Sequence, residues 1–335
     1  MTFRGLAFVL LMLGLPAWAQ HEQPSSPTTA AQSSSLPVSA AQRPEDNTPA
    51  TAEPKPDAAA KVDLTPDASG KLSQEQMQQL FRVVADKDVE NDKRLRDYTY
   101  IEREVESKLD GKGQTKHTEV KTYEVLEIYG EQVQRLIEKD DKPLDAKEAA
   151  KEEEKIQKAM DKRKNESEDE RKKREQKADK DHEDERKFVR EVADAYDFKL
   201  VGTEPVGGRE AWVIDAEPRP GFEAHTKEAK FLSKIHGRVW VDKGDLQLAK
   251  MDVQVLDTIS WGLFLARFHK GSRVMMEQTR VNDEVWLPRT VSAKIDVRLA
   301  LVKNFDVGVE QTYRDYKKFR TSAKIVSVGE VQEQK

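Results

Sequence analysis

The side chains able to do chemistry are six histidines, a large stock of acids and bases, and no cysteine. The histidines are His21, His117, His182, His225, His236 and His269. None stands three to five residues from another, so no local metal-ligand spacing exists. His236 and His269 fall in β-rich sequence and could converge in space; the plainer reading makes them turn or surface histidines. The absence of cysteine excludes disulfides, thiolate metal sites and Cys nucleophiles. No G-x-S-x-G elbow, Walker loop, G-x-G-x-x-G fingerprint or H-E-x-x-H helix is present. Gly207-Gly208 is followed by the strand-like Trp212-Val213-Ile214, whereas a phosphate cradle needs a helix after its glycines. The expectation is a protein that is not an enzyme and carries no cofactor and no metal. A hydrolase would need a Ser and a His gathered only by the fold.

One apolar segment stands out. Thr258 to Lys270 contains Trp261, Phe264, Leu265 and Phe268 at i, i+3, i+4, i+7, the spacing of a short amphipathic helix between two strands. It reads either as a lid or wall over an apolar cavity or as ordinary core packed on a sheet. Trp212 and Trp240 sit in strand-like runs and are the candidate cavity-wall residues.

The elements that would position these residues follow from pattern. Ser73-x-x-Gln76 fits a capping box, and Met77, Leu80, Phe81 and Val84 make one apolar stripe behind it. Strand-like runs follow at Arg96–Leu109, Glu119–Tyr129 and around Val133, Leu136 and Ile137. Residues 138–191 are almost wholly charged, with both signs balanced. Glu154 with Lys158, Glu168 with Lys172, Glu170 with Arg174 and Glu183 with Lys187 stand at i, i+4 in the favourable order. They predict a solvated helical arm, one helix or two, projecting from the body. From Asp197 onward the chain alternates as strands. A short helix is expected near Lys227–Lys234, and the apolar phase slips between Leu248 and Met251 as a β-bulge would make it. The clearest one-sided pattern is Val291, Ala293, Ile295, Val297, Leu299 and Leu301; Phe305, Val307 and Val309 repeat it, and Tyr313, Tyr316 and Phe319 extend it. No strand–helix alternation occurs, which argues against a parallel α/β sheet.

The 335 residues are 36% charged, too polar for one uniform globule, and the composition is uneven along the chain. A net charge of −5 argues against a dedicated nucleic-acid binder. Arg4, the apolar run Leu6–Leu15 and Ala17-Trp18-Ala19 form the three parts of a cleavable export signal. The run is too short to span a bilayer comfortably, and no later segment reaches transmembrane length. The expected location is therefore periplasmic, with secretion as the other outcome. Residues 20–70, rich in Pro, Ala, Ser and Thr, read as a disordered tether. No cysteine follows the cleavage point, so the mature chain is not an N-terminally acylated lipoprotein.

The second half resembles a known family. Gly208-Arg209-Glu210-Ala211-Trp212-Val213-Ile214, Gly237-Arg238-Val239-Trp240-Val241-Asp242-Lys243, Met251-Asp252-Val253-Gln254-Val255 and Val285-Trp286-Leu287-Pro288 resemble, in order, strands of the LolA/LolB-like superfamily of outer-membrane lipoprotein-sorting proteins, which includes RseB-type sensors. The resemblance runs over roughly 197–320, and the helix-then-strands start at 73–137 fits it. It implies an α+β fold: a strongly curved antiparallel half-barrel plugged by helices, whose apolar hollow holds a lipid or lipoprotein acyl chain. The charged arm and the long tether depart from the carrier pattern, and no family ligand-binding residue maps onto a position here.

The resulting division is 1–19 signal, 20–70 tether, 71–137 first helix and strands, 138–196 charged helical insertion, 197–322 remaining strands and 323–335 tail. The expected role is binding or carrying a lipid or acyl chain. The alternative is an envelope interaction or stress-sensing module of the same fold that docks a protein partner through the charged arm.

Overall fold

The computed structural model describes residues 62–95, 97–110, 113–129, 131–226, 228–261, 266–299, 303–318, 324–327 and 330–332. The export signal and most of the expected tether lie outside them. The body starts within the expected tether, however: Leu64 is buried in the core with Leu72, and Val62 packs on it. Gly70 and Leu72 hydrogen-bond to Leu200 and Phe198 along the edge of a strand. Apolar residues spaced among Asp and Pro escaped a compositional reading of this stretch.

Helix α1 (Gln74–Leu95) begins as its sequence predicts. The Gln76 N–H donates to Ser73 Oγ, and the Ser73 N–H donates to the Gln76 side chain at 2.8 Å. Met77, Leu80, Phe81 and Val84 are all buried, so the whole stripe faces the core.

That core is the inner face of one open antiparallel sheet. In chain order the strands are β1 (Tyr98–Leu109), β2 (Thr115–Ile128), β3 (Glu131–Lys139), β4 (Lys142–Pro143), β5 (Tyr196–Val206), β6 (Arg209–Pro218), β7 (Ile235–Asp242), β8 (Leu248–Val255), β9 (Ile259–Trp261), β10 (Ala266–Phe268), β11 (Arg273–Val281), β12 (Val285–Leu299) and β13 (Lys303–Lys318). Their spatial order is β4-β3-β2-β1-β13-β12-β11-β8-β7-β6-β5, with β10 on β12 and β9 on β10. β4 and β5 do not pair, so the barrel is half closed. The seam between β1 and β13 joins the early strands to the last long one. A separate small hairpin, β14 (Lys324–Ser327) with β15 (Glu330–Gln332), lies in the expected tail.

Alternation sorts each strand. Val291, Ala293, Ile295 and Val297 are buried inward, as predicted; Leu301 and Phe319 lie outside the described residues. The expected bulge in β8 is present: Trp240 pairs with Lys250 but Val241 with Leu248, leaving Ala249 as the extra residue. A second register shift stands opposite Asp315, whose φ is +57°, between Tyr313 and Tyr316. It brings Tyr316 to the inner cluster one residue out of simple phase.

The charged region forms two helices, α2 (Ala146–Lys164) and α3 (Glu168–Ala195). Contrary to the expectation of a projecting arm, α2 lies against β3. Ile156 is buried, Glu152 accepts the Leu136 N–H at 3.1 Å, Glu148 pairs with Lys139 and Glu153 with Arg135. Of the four predicted i, i+4 pairs, Glu154–Lys158 and Glu183–Lys187 form. Arg174 instead reaches back to Glu166, which Arg163 also holds, and Glu170 caps Ser167. Solvent screening leaves surface ion pairs of this kind little net stability, so Ile156 is the principal apolar anchor of α2. Ile156→Ala is expected to cost α2 about 2 kcal/mol or more of docking energy. Hydrogen exchange of the 146–164 amides should then speed at least tenfold while the global melting temperature moves little.

Candidate apolar ligand cavity

The cavity is a consequence of register. On the inner face, Phe198, Ala216, Gly237 and Val253 form one cross-strand row through β5, β6, β7 and β8. The next row, Leu200, Ile214, Val239 and Met251, is filled by larger side chains, with Ile214 and Met251 buried. Only in the first row do both central strands carry small residues, and the hollow runs from there over Val239 and Met251 to Val241 and Leu248.

Three elements roof the hollow. Helix α1 contributes Phe81 and Val84, the last turns of α3 contribute Phe188 and Val192, and a 3-10 helix (Glu228–Lys234) contributes Phe231 and Leu232. Aromatic contacts fix them: Phe81 meets Phe198 edge-on at 5.3 Å, and Phe188 lies 6.1 Å from Phe231. The Tyr196 hydroxyl donates to the Leu232 carbonyl at 2.9 Å, tying the 3-10 helix to β5. The empty space is about 810 Å³ with its open mouth included. No Asp, Glu, Lys or Arg lines it. His236 borders it, but its ring is turned to the outer face, 3.1 Å from Gln254 and 3.5 Å from Glu217. Such a wall offers nothing to a polar group and favours hydrocarbon, about 0.8 kcal/mol per buried methylene.

Of the residues singled out from sequence, Trp212, Trp240 and Phe268 are not in its lining. Trp240 stands on the outer face with Val213, Ala211, Ala249 and Trp286, because it is one step out of phase with the inward Val239 and Val241. Its indole N–H donates to Glu204 at 2.8 Å, and Lys250 lies over its ring. Trp212 faces inward and is half-buried against the core, in the row of Val241 and Leu248, which line the hollow, but it is not itself in the lining. The helix expected at Thr258–Lys270 is a β-hairpin instead. β9 pairs with β10, and β10 pairs with β12 at Val297–Leu299. β11 leaves β12 after Lys294, so the backbone of β12 beyond it needs a partner, and β10 supplies one. Phe268 packs with Phe231, Ile235, Val255 and Ile259 in a satellite cluster beside the cavity. Phe264, Leu265 and the side chain of Trp261 lie outside the described residues. Ala216, Gly237, Phe188 and Phe231, which do build the site, were missed; the available signal was small residues at inward positions of two neighbouring strands.

His269 bonds Asp296 at 2.9 Å and shares no partner with His236. Among the described residues, no three His, Asp or Glu side chains gather as a metal-ligand set.

A second feature lies across the sheet. Glu102 of β1 is buried on the inner face, and one Gln311 amide nitrogen donates to both Glu102, at 3.1 Å, and Glu104, at 2.9 Å. Gln134 donates to Glu102, and the Tyr313 hydroxyl donates to Gln311. Glu106, Glu119 and Lys121 flank the group in register, and Tyr123 stands beside Glu102. Burial, then the neighbouring Glu104 charge, pushes the Glu102 carboxyl up to about 7. Burial raises Glu104 as well, with Gln311 and Lys121 opposing it.

Comparisons with known proteins add little. No family model matches the chain, and no curated protein matches it. Solved structures that it is similar to include a domain described as an outer membrane lipoprotein-sorting protein from Vibrio parahaemolyticus, at 10% identity over 74% of this chain and 95% of that one, with a TM-score of 0.32. A LolA superfamily protein from Nitrosomonas europaea gives 8% identity over 73% and 94%, with a TM-score of 0.29. The MucA/MucB complex of Pseudomonas aeruginosa gives 12% over 73% and 99%, with a TM-score of 0.20. Superposition at this level carries no argument about function.

The Glu102 geometry has a measurable consequence. Its folded value of about 7 lies above the ordinary 4.5, so the folded state binds more protons in between. The stabilisation from this group is complete below about pH 4.5 and is lost as pH rises through about 7, by up to about 3 kcal/mol. Urea-unfolding midpoints of Glu102→Gln should lose that decline, whereas wild type should show it.

Proposed function

We propose that this chain is an exported, non-enzymatic binding protein of the periplasm that takes the hydrocarbon tail of a lipid or lipoprotein into the hollow between β5–β8 and the helices above them. The observation that carries this reading is the carbon wall: a space that reaches solvent, roofed by Phe81, Phe188 and Phe231, with no charged side chain in its lining. Water gains little from such a surface, and an alkyl chain gains the burial energy. Each buried methylene contributes about 0.8 kcal/mol, from which the cost of immobilising the chain is subtracted. Its resemblance in sequence order to lipoprotein-sorting proteins points the same way, as does the export signal at its start.

The test is uptake of a fluorescent fatty acid by the purified exported chain. Wild type should bind it with saturable emission. Phe188→Asp, which places a charge at the half-buried rim of the hollow, should weaken uptake at least tenfold with an unchanged circular dichroism spectrum. Absence of uptake by wild type, together with envelope-purified protein that carries no extractable acyl species, overturns the proposal.

A further inference from the structure

We infer that in the unprocessed chain the apolar run Leu6–Leu15 occupies the hollow, so that removal of the export signal frees it for ligand. The inference rests on the lipid-binding reading and adds a regulation to that site: the precursor blocks itself, and the processed chain is competent.

The hollow leaves apolar surface uncovered. Phe188, Val192 and Phe231 on its roof and Val239 and Val253 on its floor are only half-buried. Its lining on β7 runs from Ile235 to Val241, about 20 Å at the rise of a strand. No charged side chain stands in that lining. An occupant that fits is apolar, uncharged and about that long.

One segment of the chain outside the described residues meets these conditions. Leu6–Leu15 consists only of Leu, Phe, Val, Met, Ala and Gly. As a helix it would be about 15 Å long, with Leu6, Val9, Leu10 and Leu13 on one face. The stretch nearer the body offers no rival. Apart from Ala and Pro, the only apolar side chains in residues 20–61 are Leu36 and Val38.

The chain joins the body beside the hollow. The Leu72 N–H donates to the Phe198 carbonyl, and the Leu200 N–H donates to the Gly70 carbonyl, both at 3.0 Å. Phe198 itself lines the hollow. Residues 16–61 link this point to the apolar run. A flexible coil of that length spans about 40 Å, more than the length of the hollow. Linked in this way, the run meets the hollow at an effective concentration on the order of a millimolar. A segment with a Kd of only about 100 µM by itself then weakens uptake of free ligand about tenfold.

The experiment compares the full chain 1–335, purified without signal removal, with the processed chain 20–335 for uptake of the fluorescent fatty acid. The processed chain should bind it at least tenfold more tightly. Leu10→Asp together with Leu13→Asp should raise uptake by the full chain to the processed value, and Leu36→Asp with Val38→Asp should leave it low. A photoreactive benzoylphenylalanine replacing Phe8 should crosslink within the same chain to the 3-10 helix or to β7 and β8. Equal uptake by the two chains overturns the inference. Rescue by the Leu36 and Val38 pair makes the tether the occupant and overturns it too, as does blocking that grows with protein concentration, which makes the occupant a second copy. If neither chain takes up the probe, the lipid-binding reading falls, and the crosslink decides self-occupancy by itself: adducts on the hollow's lining support it, and adducts elsewhere overturn it.

Discussion

An open antiparallel sheet whose inner face is apolar cannot stand in water uncovered. Here one 22-residue helix and the end of another cover it. The stripe Met77, Leu80, Phe81 and Val84 is the only run of α1 that is apolar at helical spacing, and all four residues are buried. Everything else follows from how far that cover reaches. Over β12 and β13 the inward Val291, Ala293, Ile295 and Val309 are sealed. Over β6 and β7 the floor drops away at Ala216 and Gly237, and the same roof spans a gap. Each large side chain missing from a filled row forfeits about 2 kcal/mol or more of packing. A fold that keeps such a gap beneath buried aromatics gives up stability at that point, which is the usual relation between a binding hollow and the core around it.

The charged insertion matters to this cover in an indirect way. Its second helix ends on the body, where Gln74 of α1 donates to the Ala193 carbonyl and Gln78 donates to Asp194 at 2.8 Å. Phe188 and Val192 therefore arrive at the mouth of the hollow on the last turns of a helix whose earlier turns are solvated. The loop after β6 holds the same turns from the other side, through the His225 N–H to Glu191 at 2.9 Å. One wall of the cavity thus belongs to the insertion, and the other walls belong to the sheet and α1.

Much of this was legible in the sequence. The capping box at Ser73, the α1 stripe, the bulge after Leu248 and the one-sided alternation of β12 are local signals, complete within a few residues, and each appears as read. What was not legible depends on partners distant in the chain. The hollow exists because Ala216 and Gly237 come into register, and that register is set by the strands' connections and not by either residue. Trp240 looked like a wall because aromatic residues draw attention, but phase relative to Val239 and Val241 decides its face. The spacing of Trp261, Phe264, Leu265 and Phe268 fits a helix, yet the unpaired end of β12 makes a strand the better use of that backbone. The contacts of α2 with β3 were hidden for the same reason: Glu148 and Glu152 look like members of a solvated helix until Lys139 and the Leu136 amide are placed beside them.

The two unusual features of the inner face are kept apart by the same alternation. The carboxylates of Glu102 and Glu104 project inward from β1, where β2 and β13 supply Tyr123, Gln311 and Tyr313 as neighbours. The small residues project inward from β6 and β7, where only carbon surrounds them. Between them lie the inward side chains of β12, β11 and β8, among them the buried Val291, Ala293, Ile295, Val274, Met276 and Met251. A charged carboxylate beside the hollow would cost several kcal/mol once an alkyl chain replaced its water. Polar groups near the β1–β13 seam instead find amide and hydroxyl partners across one strand spacing. The sheet thus provides two distinct interiors on one face, one satisfied by hydrogen bonds from its own side chains and one walled by carbon around a gap.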